Sequence, residues 1–257
     1  MQKTILITGC SSGIGLVAAQ DLQARGYRVL AGCRNPVDVA RMDELGFTGI
    51  LLDLDDAQSV DSAADRVIAL TGNRLYALFN NGGFGLYGSL TSLSRQQLEQ
   101  QFATNFFGTH QLTMRLLPAL LANGQGRIIN TSSVLGLIAM PDRGAYAASK
   151  YALEAWSDAL RMELHGSGIR VSLIEPGPIH TRFTDNVTQG EKEKPVRNPA
   201  IAARFKLPPE AILPKLHHAL ESAHPRLRYP VTLVAHSMSL LKRVLPGWML
   251  DRILRNR

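Results

Sequence analysis

Cysteine is scarce in this 257-residue chain, since only Cys10 and Cys33 are present and they are too far apart for a Cys-x-x-Cys pair. A disulfide framework and a zinc site are therefore excluded as organising features, and no metal is expected. Two reduced thiols are the expected state.

Long apolar runs are also lacking, because none approaches the ~18 residues that a helix needs to cross a bilayer. The chain enters a predicted strand almost at once, at residues 5–7, which leaves no room for a signal peptide. We therefore expect a cytoplasmic protein.

Acidic side chains are scarce in one part of the chain. Residues 194–257 contain 12 of the 28 Lys and Arg residues but only 3 of the 21 Asp and Glu residues, so the formal net charge of +7 arises there. The preceding part has no zinc-ligand spacing, aromatic stacking motif or basic helix, so nucleic acid is not an expected partner. Residues 233–257 interleave apolar and basic side chains, which is typical of a segment on an anionic membrane or one buried against a neighbouring subunit.

Short apolar runs alternate with helical patterns along the chain. The runs are continuous, as expected for strands of a parallel sheet that helices cover on both faces. Strict alternation predicts an α/β fold, in one domain over 1–257, with a doubly wound, mostly parallel, seven-stranded sheet. Residues 182–222 interrupt the pattern and are predicted to be a substrate lid. The predicted strands are 5–7, 28–31, 49–52, 75–79, 127–130, 171–174 and 227–232, and the predicted helices are 13–25, 56–71, 94–121, 145–165 and 233–245.

A glycine-rich turn follows the first predicted strand. Gly9, Gly13 and Gly15 allow a tight turn and a close approach of the backbone, and Ser11, Ser12 and Ile14 lie between them. Free N–H groups at the start of the next helix would bind a pyrophosphate. The alternative is a simple turn, but the position between strand and helix favours dinucleotide binding.

The end of the second predicted strand bears on the choice of dinucleotide. An NAD site carries an acid about 20 residues after the glycines, but here Arg34 ends the strand and no acid precedes Asp38. A guanidinium suits the 2′-phosphate of NADP(H), which is the predicted cofactor. The alternative is a solvated arginine.

Tyr146 and Lys150 are four residues apart in a predicted helix, so both side chains lie on one face. A free phenol has a pKa near ~10, and a cation one turn away lowers it towards neutral pH. The pair is therefore a candidate for proton transfer.

These motifs together resemble the short-chain dehydrogenase/reductase family, in its ordinary-length single-domain form. The resemblance rests on the glycine turn, Asn80-Asn81-Gly82-Gly83, Asn105, Ser133 and Tyr146-x-x-x-Lys150, in that order over residues 3–181. It implies a Rossmann-type fold and an oxidoreductase of CH–OH and C=O groups. The pattern is similar to NADP-dependent aldehyde reductases of enteric bacteria and to 17β-hydroxysteroid and retinol dehydrogenases. Gly82 departs from it, because alanine is usual there.

The resemblance also implies roles. Tyr146 would protonate the substrate oxygen, Ser133 would hydrogen-bond it, Lys150 would hold the nicotinamide ribose and Asn105 would anchor the site backbone and a water. The other residues implied at the cofactor are Asp53, Asn80, Pro176, Gly177 and Thr181. Alternatives remain: Ser132 rivals Ser133, Asn105 could bond its own backbone, and Asp53 could cap helix 56–71.

The residues that follow these motifs are apolar. Residues 134–140 and Phe84, Leu86 and Tyr87 come after strand ends, where α/β sheets bind ligands. We expect NADPH-dependent reduction of a hydrophobic aldehyde or ketone. The alternatives are a dehydrogenase of hydrophobic alcohols such as hydroxysteroids or retinol, and an NADP-sensing regulator. Helix 145–165 is apolar on more than one face, which predicts a homodimer or homotetramer.

Overall fold

The structure is a computed structural model that describes residues 2–181, 183, 188–189 and 206–255. Seven strands form one all-parallel sheet in the order β3-β2-β1-β4-β6-β7-β9, and β5 pairs with β8 separately. The predicted Rossmann-type α/β fold is therefore confirmed, with every strand of the large sheet parallel. The strands are β1 (Thr4–Thr8), β2 (Arg28–Cys33), β3 (Thr48–Leu51), β4 (Ala77–Asn80), β5 (Leu86–Tyr87), β6 (Gly126–Thr131), β7 (Ile169–Glu175), β8 (Thr188–Gln189) and β9 (Arg228–Pro230).

Helices connect the strands. They are α1 (Gly13–Ala24), α2 (Pro36–Glu44), α3 (Ala57–Thr71), α4 (Arg95–Phe102), α5 (Gly108–Ala122), α6 (Gly144–Glu163), α7 (Leu213–Glu221), α8 (Leu233–Val244) and α9 (Gly247–Arg255). The helix predicted over 94–121 is in fact α4 and α5 joined by a π-helical turn at Ala103–Phe107. About half of the predicted lid, 182–222, lies outside the described residues, and its described part includes α7.

The core lies on both faces of the sheet. Ile5 and Ile7 of β1 belong to one buried cluster and Leu6 to the other, because successive strand residues point to opposite faces. Each fully buried aliphatic side chain stabilises the fold by about 1.5–3 kcal/mol. This two-sided burial explains why the strands are continuously apolar in sequence.

A third apolar cluster lies away from these two. It brings Tyr146 of α6 together with Val134, Leu135 and Ile138, and with Met238 of α8 and Leu254 of α9. Helices α8 and α9 thus wall the region of Tyr146. No helix among the described residues is long and apolar enough to span a membrane.

Candidate active site

The glycine turn between β1 and α1 has no room for side chains. Gly9 and Gly13 have positive φ angles of 73° and 56°, and a Cβ on Gly15 would lie 2.2 Å from the Gly9 carbonyl oxygen. Ser12 starts α1, and its side chain makes no capping hydrogen bond to the helix. The first N–H groups of α1 are therefore available to an anion, as a pyrophosphate site requires.

The turn after β4 packs directly on this glycine turn. The Thr8 hydroxyl accepts hydrogen bonds from the backbone N–H of Asn81 at 3.0 Å and of Gly82 at 2.7 Å. A Cβ on Gly82 would lie 3.0 Å from Leu54 and 3.1 Å from the Thr8 hydroxyl. Glycine instead of the usual alanine thus lets the two turns approach closely.

Asn80 does not present its amide to this turn. Its side chain is buried and its Nδ2 donates to Thr113 at 3.0 Å and to Asn130 Oδ1 at 2.9 Å, which ties β4 to α5 and β6. These bonds give the Asn80 side chain a structural role, and a contact of Asn80 with the cofactor stays a prediction.

Arg34, Asp53 and Asp38 stand near the ends of β2 and β3. Arg34 is exposed and makes no hydrogen bond or ion pair within the part of the chain that the structure describes. Asp38 pairs with Arg41 at 3.0 Å, so the nearest following acid is already neutralised. Asp56 caps α3 by accepting from the Gln58 N–H, which leaves Asp53 free of the capping role considered above.

Sequence reasoning missed Arg41. It lies on α2, which was not predicted, and its guanidinium donates to the Ser11 carbonyl of the glycine turn. The ion pair with Asp38 and this hydrogen bond fix the turn from the side of α2. A helical reading of residues 36–44 would have placed Asp38 and Arg41 on one face, three residues apart.

The structure brings Tyr146, Ser133, Lys150 and Asn105 together. The Ser133 hydroxyl is near enough to the Tyr146 phenol to lower its pKa, and the Lys150 ammonium lies 5.8 Å from the centre of the Tyr146 ring. A Cβ on Gly83 would meet both Asn105 Oδ1, at 3.0 Å, and Lys150 Nζ, at 3.8 Å. All four predicted catalytic side chains therefore face one space beside the turn after β4.

Ser132, the rival of Ser133, points elsewhere. Its buried hydroxyl acts on the Glu154 carboxyl of α6 and lowers the pKa of that group. Ser133 alone of the two contacts Tyr146, and its hydroxyl also accepts the Leu135 N–H at 3.1 Å.

Asn105 lies in the π-helical turn between α4 and α5. Its Oδ1 accepts the Phe84 N–H, and its Nδ2 donates to the Phe84 carbonyl, both at 3.0 Å, and to Ser149 at 3.1 Å. Asn105 therefore holds the backbone after β4 rather than its own helix. Gln101, which sequence reasoning missed, supports the same loop through Leu86 and Phe84. π-Helical turns are frequent at functional sites.

The electrostatics of Tyr146 differ from expectation. Burial in the apolar cluster, with Tyr87 nearby, raises the pKa of its phenol well above the usual value, while Ser133 lowers it. The Lys150 ammonium, which was expected to lower this pKa, donates to the Thr131 carbonyl at 2.7 Å, and burial lowers its own pKa to about 8. Tyr146 is therefore a protonated phenol at neutral pH.

The segment after β7 completes the site. Its Pro176 carbonyl accepts the Val134 N–H at 2.8 Å, and a Cβ on Gly177 would lie 2.1 Å from the Thr232 hydroxyl. Thr181 reaches the glycine turn, since a Cβ on Gly13 would lie 3.1 Å from it. Pro176, Gly177 and Thr181 thus link the Ser133 side of the site with the glycine turn.

Aromatic rings surround Tyr146. Tyr87 lies edge-on, with ring centres 6.1 Å apart, and Phe183 lies 5.5 Å away. Together with the apolar cluster around α8 and α9 they make the surroundings of the phenol hydrophobic. No group of three His, Cys, Asp or Glu side chains in the described ranges could hold a metal ion.

Comparisons with known proteins agree with this geometry. The sequence model of the family described as "short chain dehydrogenase" matches residues 3–192. The uncharacterized oxidoreductase YbbO of Escherichia coli strain K12 is 67% identical, over 99% of this chain and 95% of its own length. Human retinol dehydrogenase 5 is 35% identical, over 97% of this chain and 87% of its own length. A short chain dehydrogenase from Burkholderia cenocepacia, solved in complex with NADP, is 25% identical, with a TM-score of 0.80 over 99% of both chains.

Proposed function

The chain belongs to the short-chain dehydrogenase/reductase family, whose members are oxidoreductases of CH–OH and C=O groups, and from this premise we propose an NADPH-dependent reductase of hydrophobic aldehydes or ketones. The observation that carries the proposal is the convergence of Tyr146, Ser133, Lys150 and Asn105 on one space beside an apolar cluster. A buried, protonated phenol is a proton donor, which suits reduction.

The residues present fit a nicotinamide dinucleotide. The space that Gly9, Gly13 and Gly15 leave free, with the N–H groups of α1, suits the pyrophosphate. Asp53 would contact the adenine, Lys150 the nicotinamide ribose, and Pro176, Gly177 and Thr181 the carboxamide. When bound, the reduced cofactor supplies a hydride to the carbonyl carbon.

The chain's own residues would bind the carbonyl oxygen and donate a proton to it. Ser133 and Tyr146 would hydrogen-bond the carbonyl oxygen, and the Tyr146 hydroxyl would give its proton to that oxygen as negative charge develops. Lys150 would stabilise the phenolate left behind, since its ammonium is on the same helical face. The apolar walls from Tyr87, Phe183 and α8 exclude water.

A turnover screen tests the activity. NADPH consumption is followed with a panel of aldehydes and ketones of increasing apolar size, with Tyr146→Phe as the matched variant. We expect the variant, which lacks only the hydroxyl, to lose at least about a hundredfold in kcat, as for loss of a general acid. A variant that keeps most of the activity would contradict the proposed chemistry.

The NADP preference rests on Arg34. Its guanidinium has no hydrogen-bonding partner among the described residues. No acid ends β2 to favour NAD, and Asp38, the nearest following acid, is paired with Arg41. An NADP-bound relative structure supports the same reading. Arg34→Ala should lower kcat/KM for NADPH about tenfold or more with little effect on NADH, and equal loss with both cofactors would contradict it.

Oxidation of hydrophobic alcohols is the second candidate, favoured by the relation to retinol dehydrogenase 5. The same tyrosine would then accept a proton, and its raised pKa would make this direction slow at neutral pH. Initial rates in both directions at pH 7 and pH 9.5 distinguish the candidates: reduction should dominate at pH 7.

Two apolar surfaces support proposals about partners. Phe107, Leu121, Tyr151 and Met162 are exposed on the π-helical turn, α5 and α6, and we assign them to a homodimer or homotetramer contact. Light scattering at micromolar concentration tests this, and a monomer would contradict it.

The second surface is the outer side of α8 and α9. Leu240, Val244 and Trp248 are each more than 60% exposed beside the exposed Arg243 and Arg252. This combination suits peripheral contact of a cytoplasmic protein with anionic lipid. Sedimentation with phosphatidylserine vesicles tests it against phosphatidylcholine vesicles, and binding to neither would contradict it.

A further inference from the structure

Three carboxylates, from α6 and β7, surround the guanidinium of Arg228. Arg228 of β9 donates from Nε to Glu154 Oε2 at 3.0 Å and from Nη2 to Asp158 at 2.6 Å. The same Nε lies 3.3 Å from Glu175 Oε1. Glu154 and Asp158 belong to α6, and Glu175 ends β7.

Arg228 hydrogen-bonds two of these three acids. Its single Nε–H is taken by Glu154, so neither oxygen of Glu175 receives a hydrogen bond within the described residues. The Glu175 side chain is only 1% exposed. An ionised carboxylate buried without a donor is strongly disfavoured, whereas a protonated carboxyl is tolerated.

The charges that face Glu175 from its neighbouring elements lead to the same state. Glu154 and Asp158 of α6 repel a charge on Glu175, and Arg228 of β9 and Arg243 of α8 attract one. Burial has the largest effect and repulsion from Glu154 the next, and together they raise the pKa of Glu175 to about 8.

Glu175 lies opposite Ser133. The N–H groups on either side of Ser133, from Ser132 and Val134, donate at 2.8 Å to the carbonyls on either side of Glu175, Ile174 and Pro176. The next residue, Gly177, packs against Thr232 at the start of α8. The backbone at Glu175 therefore fixes both Ser133 and the Pro176–Gly177 segment.

Glu154 connects the same cluster to Lys150. It lies one turn after Lys150 on α6, and its negative charge raises the pKa of that ammonium against the effect of burial. Arg228 and its three acids therefore contact α6, which carries Tyr146 and Lys150, and the end of β7, which lies opposite Ser133.

We propose that Glu175 is a positioning residue whose uncharged carboxyl, packed against the Glu154–Arg228 ion pair, holds Ser133 and the Pro176–Gly177 segment in their binding geometry. Ionisation of Glu175 would place its carboxylate and that of Glu154 against the single Nε–H of Arg228. The repulsion between them would push β7 and α6 apart. The expected effect on cofactor affinity rests on the proposed NADPH binding. The protonation state of Glu175 does not depend on that proposal.

The first test measures the proton directly. Infrared difference spectra of the full chain between pH 6.5 and pH 9.5 should show loss of a protonated carboxyl C=O band. The band should be missing in Glu175→Gln and retained in Glu163→Gln, which changes an exposed acid of the same helix α6. The same band in Glu175→Gln would overturn the proposal, whether or not NADPH binds.

The second test measures NADPH affinity by fluorescence titration from pH 6 to pH 10. The unmodified protein should lose affinity by up to about tenfold per pH unit above about 8, because one proton is linked to binding. Glu175→Gln should keep a larger share of its affinity at pH 9.5, and the difference between the two profiles removes the titration of Lys150. Parallel profiles would overturn the proposal.

Glu154→Gln provides an independent variant if Glu175→Gln folds poorly. Removing the Glu154 charge lowers the pKa of Glu175, so the midpoint of the affinity loss should move to lower pH. A purely structural role for Glu154 predicts a weaker protein with an unchanged midpoint, and that outcome would overturn the proposal.

Discussion

At the residue scale, the close contact of two backbones makes Gly15 indispensable. A Cβ there would lie 2.2 Å from the Gly9 carbonyl, and a backbone oxygen cannot move away as a flexible side chain can. Gly15→Ala should therefore destabilise the protein by about 1–3 kcal/mol and weaken NADPH binding at least about tenfold.

Gly247→Ala is the control, because nothing lies within 4 Å of the Cβ that it adds. Thermal unfolding and NADPH titration check both variants. Equal behaviour of the two would contradict the close approach in the glycine turn.

The positions of Tyr146 and Lys150 on one helical face were predictable from sequence, but their surroundings were not. Tyr146 and Lys150 are local to one helix, so their spacing alone places them on one face. The raised pKa of Tyr146 depends on Tyr87 and on walls from α8 and α9, which lie far away in sequence. Arg41 and Gln101 were missed because their contacts depend on which loops meet them in space.

At the element scale, the π-helical turn gives Asn105 its role. Asn105→Ala would leave the Phe84 N–H without its 3.0 Å partner and the Phe84 carbonyl with Gln101 as its donor. An unpaired donor costs about 1–3 kcal/mol when fully buried, and less at this partly buried position. We expect kcat to fall more than NADPH affinity, because Asn105 lies against Gly83 beside Lys150, whereas the glycine turn is contacted by Asn81 and Gly82.

Asn123→Ala is the matched control, since its amide bonds only the neighbouring Gln125 carbonyl beyond α5. Steady-state kinetics and NADPH titration separate the two effects. A fall in NADPH affinity that equals or exceeds the fall in kcat would contradict a role limited to the loop.

The helix boundaries show where hydrophobic periodicity alone does not predict the secondary structure. A continuous apolar pattern predicted one helix over 94–121, because a single π-helical turn shifts the register without changing the residue types. Helices α2 and α7 were missed since each is nine residues long and has proline in its first turn. Proline in the first turn is compatible with the start of a helix.

At the scale of the whole molecule, two buried groups contribute opposite pH dependences to the stability. The raised pKa of Glu175 contributes stability that is present below its ordinary value of 4.5 and lost as pH rises through about 8. The lowered pKa of Lys150 contributes stability that is present above 10.5 and lost as pH falls through about 8. Their combined contribution is therefore smallest near pH 8.

Thermal unfolding from pH 5 to pH 10 checks this expectation. Each group changes the free energy of unfolding by at most about 1.4 kcal/mol per pH unit. Glu175→Gln should flatten the acid side of the minimum, and Lys150→Met should flatten the alkaline side. Variants that leave both slopes unchanged would contradict the assignment.

The order of elements along the chain has a consequence for synthesis. The glycine turn, Arg34 and Asp53 all precede α8, yet α8 and α9 wall the Tyr146 phenol and Arg228 of β9 joins α6 to β7. A growing polypeptide thus acquires its nucleotide-binding half before it can shield a reacting carbonyl from water. Proteolytic removal of residues 226–257 should abolish turnover and also weaken nucleotide binding, because Thr232 and Arg228 then no longer support the segment that follows β7.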